Sequence, residues 1–316
     1  QNYSTNILEK INTNNLLFNS SPKISKKGFY NNYQFLIKNS NSSTKNSSNY
    51  KKGDDYYLSG IYQFNSSLPL IKNTNNYKNI LKPKLSLKIS PNNMKNLSKE
   101  LSKLDTDNIY NLNRISSNET IEGGMSLTYG NEYTISDLNS SKEILTLKLA
   151  NNIRLKENKD LPNNNQLSAK TSNFYGQISY NLNDFFTTKY DFSTKNNLKD
   201  INYENLGATI DFKNFVTTFD YLNEKNNFEK NSYLLNKTSY NFNKTYNMSF
   251  ATRKNYKTNL TEYYNLIYQY KNDCLAASIE YNKDYYSDRD IKPKESVFFK
   301  LTIIPFGETS TPNLKK

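Results

Sequence analysis

The chain has 316 residues, 42 Lys and Arg against 29 Asp and Glu, a net charge of +13, one Cys, no His and no Trp. With 35% hydrophobic residues and a mean hydropathy of −0.86, a soluble core of this size lacks the apolar area to offset the entropy of ordering the chain. Disorder along the whole length is excluded as well, because 27 Tyr and 17 Phe fall inside periodic segments, whereas disordered chains are poor in aromatics.

The inventory for catalysis is thin, and the chain reads as a non-enzyme without cofactors. Without His, the usual general base and the commonest metal ligand are missing. A single Cys builds neither a zinc site nor an internal disulfide, and no phosphate-binding or dinucleotide-binding glycine motif occurs. Asp288 and Asp290 beside Arg289 read as solvated loop charges. Asn is the most abundant residue, so Asn-x-Ser/Thr triplets such as Asn41-Ser42-Ser43 arise by chance. The positive balance has two readings: the Lys, Asn, Tyr and Ile usage of an AT-rich genome, or attraction to anionic lipid and glycolipid head groups. Nucleic acid is a poorer partner, since the lysines are spread out and form no basic stripe.

In chain order, one or two strands precede residue 25, and further strands fall near 29–38, 55–65 and 77–90. The stretch 91–121 carries Met94, Leu97, Leu101 and Leu104 at helical spacing, compatible with a short surface helix. At its end the pair Gly123-Gly124 permits a bulge or a close backbone approach. Strands follow near 122–135, 142–155, 173–180, 185–193, 203–212, 215–222, 232–242, 246–254, 261–271, 274–283 and 295–305. Their alternation is plain: Leu206, Ala208, Ile210 and Phe212 face away from Gly207, Thr209 and Asp211, and Leu275, Ala277, Ile279 and Tyr281 face away from Cys274, Ser278, Glu280 and Asn282. Connections alternate too. Those at 181–184, 213–214, 243–245 and 271–273 are tight; those at 39–54, 91–121, 156–172, 194–202, 223–231, 255–260 and 284–294 are longer and polar.

Strands of roughly 8 to 11 residues, polar on one face and apolar on the other, with short turns at one rim and long loops at the other, define an outer-membrane barrel. The expected fold is therefore all-β: one large antiparallel transmembrane β-barrel, in a single domain over residues 1–316. Asn265, Gln269, Ser278, Glu280 and Lys300 are expected to face its lumen. Cys274, beside a tight turn, is either a small inert residue or a thiol that pairs outside this chain. Pro305 lacks an N–H, so it either ends the last strand or loosens a seam there. The chain begins at Gln1 with no leader pattern in residues 1–30, as expected of a fragment. A general porin or uptake barrel, and a soluble Asn-rich adhesin, remain as alternatives.

Two regions carry a family likeness. Asn113-Arg114-Ile115-Ser116, then Ile121-Glu122-Gly123-Gly124, then Tyr129-Gly130, resembles a segment of the LptD family of lipopolysaccharide-transport proteins (also called OstA or Imp). The blocks Tyr268-Gln269-Tyr270-Lys271-Asn272-Asp273-Cys274, Asp288-Arg289-Asp290, Ser296-Val297-Phe298-Phe299 and Pro305-Phe306-Gly307 are similar to that family's ending. The chain departs from the pattern at Ser117, at Glu119-Thr120 and at Leu275, where many members carry a second Cys.

The resemblance implies a barrel of about two dozen strands in the cell outer membrane, of which these residues form the C-terminal part, roughly 14 to 16 strands. A periplasmic jellyroll and the first strands are expected upstream. The resemblance further implies lipopolysaccharide as cargo, outer-membrane lipid around the wall, an LptE-like plug lipoprotein, and a periplasmic Lpt bridge reached through the missing N-terminal domain. It implies a lateral gate whose last strand holds Val297, Phe299, Leu301, Ile303 and Pro305, and a disulfide from Cys274 to the missing domain.

Overall fold

The computed structural model describes residues 6–47, 52–115, 117–183, 185–196, 198–225, 230–285 and 294–303, and the backbone alone of 307–310 and 314–315. Ser116, Asp288, Arg289, Asp290, Pro305 and Phe306 lie outside the described residues. The elements are strands, apart from one short 3-10 turn at Asn108–Tyr110. No helix among the described residues is long and apolar enough to cross a membrane. The chain divides into two compact units: Gln1–Ser141 with Leu147–Gln177 and Ser193–Asp200, and Lys142–Thr146 with Ile178–Phe192 and Ile201–Lys316.

In the first unit β1 (Leu8–Asn19) pairs with β3 (Tyr30–Lys45), β3 with β4 (Gly53–Ser67), β4 with β6 (Tyr77–Ser90), and β6 with β7 (Gly124–Asp137), all antiparallel. Two short pieces, β2 (Lys23–Ile24) and β5 (Leu70–Asn73), continue the lines of β1 and β4 along β3 and β6. Each follows a proline, Pro22 or Pro69, whose missing N–H interrupts the ladder. Directly opposed residues share a face, so the register assembles rows across the sheet. One row runs Phe18, Phe35, Tyr62, Ile89, Met125 and another Tyr33, Phe64, Leu87, Leu127. The row between them, Gln34, Gln63, Lys88, Ser126, lies on the opposite face.

The burial of these rows is inverted. Phe18, Tyr33, Tyr62, Ile89 and Met125 are exposed, while Gln63, Lys88 and Ser126 are buried. Residues 91–123 and 155–173 cover the polar face. Leu112 and Ile121 pack with Leu36, Tyr57 and Ile61 of β3 and β4. Leu104, Ile109 and Ile115 pack with Leu161 and Leu167, with Ala150 of β8 (Glu143–Arg154) and Tyr175 of β9 (Phe174–Asn183).

After β10 (Phe186–Thr194), the strands β11 (Ile201–Phe212), β12 (Phe215–Lys225), β13 (Lys230–Asn241), β14 (Tyr246–Asn255), β15 (Leu260–Lys271), β16 (Leu275–Asp284) and β17 (Lys294–Ile303) of the second unit each pair with the next. Their register sets Phe212, Phe215, Tyr240, Met248, Tyr268, Ile279 and Phe299 in one row. All seven are exposed, Phe212 at 57% and Ile279 at 53%. The opposite face carries the row Thr209, Thr218, Lys237, Ala251, Asn265, Asn282, Ser296. An unbroken apolar row seven strands wide exceeds the patches that soluble monomers expose, and hydrocarbon is the solvent that suits it.

Aromatic rings mark both ends of that apolar face. Beside the tight turns, Tyr240 meets Phe242 at 4.9 Å, Tyr246 meets Tyr270 at 5.2 Å, and Phe185 stacks on Phe212 at 5.7 Å. Toward the other end, Phe250 stacks on Tyr264 at 6.0 Å, and Tyr264 meets Tyr285 at 5.7 Å. Tyr264 and Tyr270 lie six positions apart on β15, about 20 Å along a strand, which at the tilt of a barrel strand covers roughly 15 Å of the apolar band's height. Amphipathic rings at its two edges are what an interfacial girdle requires.

The structure corrects three expectations. Residues 39–45 extend β3 rather than opening a loop, because their Ser and Asn alternate between a covered face and an open one. The 255–260 connection is a tight turn over 256–259. The helix suggested by Met94, Leu97, Leu101 and Leu104 is absent: Met94, Leu97 and Leu104 reach one cluster from an irregular backbone, while Leu101 points to solvent. The two faces predict opposite responses to charge. Ile279→Arg should cost about 2–4 kcal/mol in lipid vesicles, and Gln269→Arg on the polar face about 0.5 kcal/mol or less, read as shifts in urea-unfolding midpoints of the full-length protein.

Candidate functional site

A buried ionic cluster in the first unit draws together most of the motif residues. Glu122, at the end of the covering segment, accepts hydrogen bonds from Arg114 Nε at 2.7 Å and Nη2 at 2.6 Å. Arg154 Nη1, from the end of β8, donates to the same carboxylate at 2.5 Å. Lys88 Nζ, from β6, stands 4.0 Å from it. All four side chains are essentially inaccessible, at 2% exposure or less.

The planar fork of Arg114 is then used up on the wall behind it. Its Nη1 donates to Thr128 Oγ1 at 3.0 Å, Asn152 Oδ1 at 2.8 Å and the Ile109 carbonyl at 3.3 Å, and its Nη2 to Ser126 Oγ at 2.9 Å. Lys lacks such a fork, which explains why a chain so rich in Lys places two of its four arginines here. Burial alone would raise the Glu122 carboxyl, but Arg114, Lys88 and Arg154 outweigh it and hold the group well below the usual carboxylate range.

The glycines of the motif make room for this arrangement. Gly124 has φ +90°, and a Cβ there would stand 2.9 Å from Arg154 Nη2, whose second partner is the Gly123 carbonyl. The close backbone approach expected of the pair is at Gly123, where a Cβ would stand 3.0 Å from the Pro91 carbonyl and 3.3 Å from Asn92 Cα. At Gly130 a Cβ would run into the Leu149 carbonyl and the Tyr110 hydroxyl, so β7 lacks a side chain where the covering segment rests. Of the remaining motif residues, Ile121 is buried, and its N–H donates to the Tyr57 hydroxyl at 3.2 Å. Asn113 is half-buried, and its Oδ1 accepts no hydrogen bond among the described residues.

Sequence reasoning missed Lys88, Arg154, Ser126, Thr128 and Asn152 as members of the cluster. The usable signal was the scarcity of Arg and the presence of Lys88 at an inward position of an otherwise alternating strand.

The expected lumen residues do share one face. Asn265 opposes Asn282, Gln269 opposes Ser278, and Ser278 opposes Lys300, with Glu280 between them. Asn265 Nδ2 donates to Glu280 Oε1 at 2.9 Å. Val297, Phe299, Leu301 and Ile303 stand on the other face of β17, opposite Tyr281, Ile279, Ala277 and Leu275. The far edge of β17 pairs in part with β18 (Gly307–Ser310) and β19 (Leu314–Lys315). Cys274 is exposed and unpaired; its N–H donates to Asn272 Oδ1 at 3.0 Å in the turn before β16.

Removing the one carboxylate strands three buried cations. Glu122→Gln should cost about 3–5 kcal/mol, seen as a lower urea midpoint in the full-length protein. Because the folded-state ionisation is depressed, the stabilisation is complete above the ordinary carboxylate range. The gap between wild type and Glu122→Gln should therefore be constant near neutrality and close only as acid protonates the native carboxylate. Gly130→Ala should cost about 1–3 kcal/mol and increase protease cutting within 91–123.

No curated protein matches the sequence. The family model described as LPS transport system D matches residues 13–233, well over half the chain. That span holds the Arg114–Glu122 cluster and the glycines around it, and it joins the inverted burial of the strands to a family of outer-membrane β-barrels that transport lipopolysaccharide: the chain belongs to the LptD family.

Proposed function

We propose that this chain forms the wall of the translocon that inserts lipopolysaccharide into the outer leaflet of the outer membrane. In this reading an LptE-like lipoprotein plugs the barrel, and the periplasmic Lpt bridge delivers the cargo. One observation carries it: the strands of both units expose rows of apolar side chains, and those of the first unit bury the polar ones opposite. A wall of that kind separates hydrocarbon from an aqueous interior, so the saccharide travels on the wet side while the acyl chains keep to the greasy one. Asn265, Gln269, Ser278, Glu280 and Lys300 offer the interior uncharged donors and acceptors with both signs of charge, which suits passing hydroxyls and anionic substituents.

The lipid portion needs an exit through the wall, and β17 is the proposed gate strand. Its apolar residues Val297, Phe299, Leu301 and Ile303 share the face assigned to lipid, the side on which the acyl chains would leave. For Cys274 we propose a disulfide to a thiol outside this chain; its exposure beside a tight turn leaves it accessible to a partner.

Depletion of the protein in its own cell should stop newly made lipopolysaccharide from reaching the surface and leave it in the inner membrane, followed by pulse labelling and fractionation. Unchanged surface delivery, together with steady ion conduction by the purified protein, would point instead to a general porin. On a non-reducing gel the full-length protein should change mobility upon reduction, and Cys274→Ser should abolish that change. A mobility that ignores reductant refutes the disulfide.

A further inference from the structure

The lipid-facing side of the first unit changes character near one rim. Down β6 the exposed apolar residues Ile89, Leu85 and Leu81 give way to Asn79 on the same face. Leu81 stands opposite Tyr133 of β7 and Leu70 of β5, and Asn79 opposite Lys72, so the pleat puts all of them on the side of Ile89 and Met125. Here the outer surface of the wall holds a groove of about 360 Å³, lined by Leu70, Lys72, Thr74, Asn79, Leu81 and Tyr133. The strands at this rim are joined by the short connections 74–76 and 138–142, and the long segment 91–123 joins them at the other. Short turns mark the periplasmic side, so the groove lies where the apolar band meets the periplasmic head groups.

Its chemistry is divided in the same direction. Leu70 and Leu81 are exposed hydrocarbon at the upper end. Below them the polar groups are held in place: Tyr133 donates its hydroxyl hydrogen to Asn79 Oδ1 at 2.9 Å, Asn79 Nδ2 donates to the Lys72 carbonyl at 3.4 Å, and Thr74 Oγ1 donates to the Tyr77 carbonyl at 3.0 Å. The Lys72 side chain is exposed and has no ion-pair partner among the described residues, and no carboxylate lines the groove. An uncompensated ammonium beside fixed hydroxyls and an amide, directly under hydrocarbon, suits a phosphodiester whose acyl chains run up the wall. The net positive charge favours a head group with a net negative charge over a zwitterion, whose own ammonium would find no partner here.

We propose that this groove binds an anionic glycerophospholipid of the periplasmic leaflet, with its phosphate on Lys72 and its first chain carbons on Leu70 and Leu81. The inference concerns the outside of the wall and goes beyond the transport reading, since the site takes no cargo. The groove adjoins a weak place in the sheet. Pro69 and Pro83 occupy neighbouring rungs of facing strands, each without an N–H, yet the register is unchanged from Ser67–Lys84 to Leu70–Leu81. A lipid seated below this gap braces β5 against β6 and fixes the depth at which the rim sits in the membrane.

The test is native mass spectrometry of the delipidated full-length protein in detergent, titrated with dioleoylphosphatidylglycerol and read as the affinity of the first lipid bound. Dioleoylphosphatidylcholine, with the same chains, should bind about fivefold more weakly, the worth of one lysine at a charged head group. Lys72→Gln should weaken the anionic lipid by about the same factor and remove the preference. Lys78→Gln, six positions on and facing the opposite side of the sheet, should behave as wild type. Glycerol 3-phosphate, which lacks acyl chains, should not bind. The proposal is overturned if Lys72→Gln keeps the wild-type affinity, or if Lys78→Gln loses as much, which would mean a diffuse charge effect. Equal affinity for the two lipids would refute the anionic assignment, and binding of glycerol 3-phosphate as tight as that of the lipid would make this a phosphate site. None of these outcomes bears on surface delivery of lipopolysaccharide, which is measured separately.

Discussion

The structure depends on one constraint: in hydrocarbon, every backbone N–H and C=O must find a partner within the protein. Antiparallel strands meet it, and the pleat then sorts side chains with a period of two. The chain obeys this sorting in both units. Phe18, Tyr62, Ile89 and Met125 in one, and Phe212, Tyr268 and Ile279 in the other, turn outward, while Gln63, Lys88, Thr128 and their neighbours turn to the opposite side. A mean hydropathy that would defeat a soluble fold is sufficient here, because only one residue in two meets the lipid.

The same sorting creates the second problem that the chain solves. A wide polar face is open to water and ions. Residues 91–123 and 155–173 cover part of it with a small apolar core of their own, built around Leu104, Ile109, Leu161 and Leu167. Glu122 anchors that cover to β6 and β8 through Lys88 and Arg154. Such a buried network gives position more than stability: the bidentate grip of Arg114 admits one geometry, and Gly124 and Gly130 leave room for no other.

Much of this is legible in the residues alone. The strands from 203 to 283 stand out because their polar positions are Thr, Asp, Gln and Glu and their apolar positions aromatic or branched. Residues 39–45 do not, since Asn, Ser and Thr occupy both faces and carry no period. Residues 91–121 mislead for another reason: an irregular segment that folds onto a wall takes its apolar spacing from the wall rather than from a helix. Arg114 and Glu122 are visible as a motif, but Lys88 and Arg154 are 32 residues or more from Glu122 in the chain and meet it only through the strand register. A contact of that kind leaves no local trace.

The central claim is that alternate residues of one strand meet lipid and water. Single cysteines at 276 through 281 of β16, placed in a Cys274→Ser background and reconstituted in vesicles, test it by their reaction with a membrane-impermeant maleimide. Positions 276, 278 and 280 should label readily, and 277, 279 and 281 should resist until detergent is added. Uniform labelling, or protection of the even positions instead, would contradict the account.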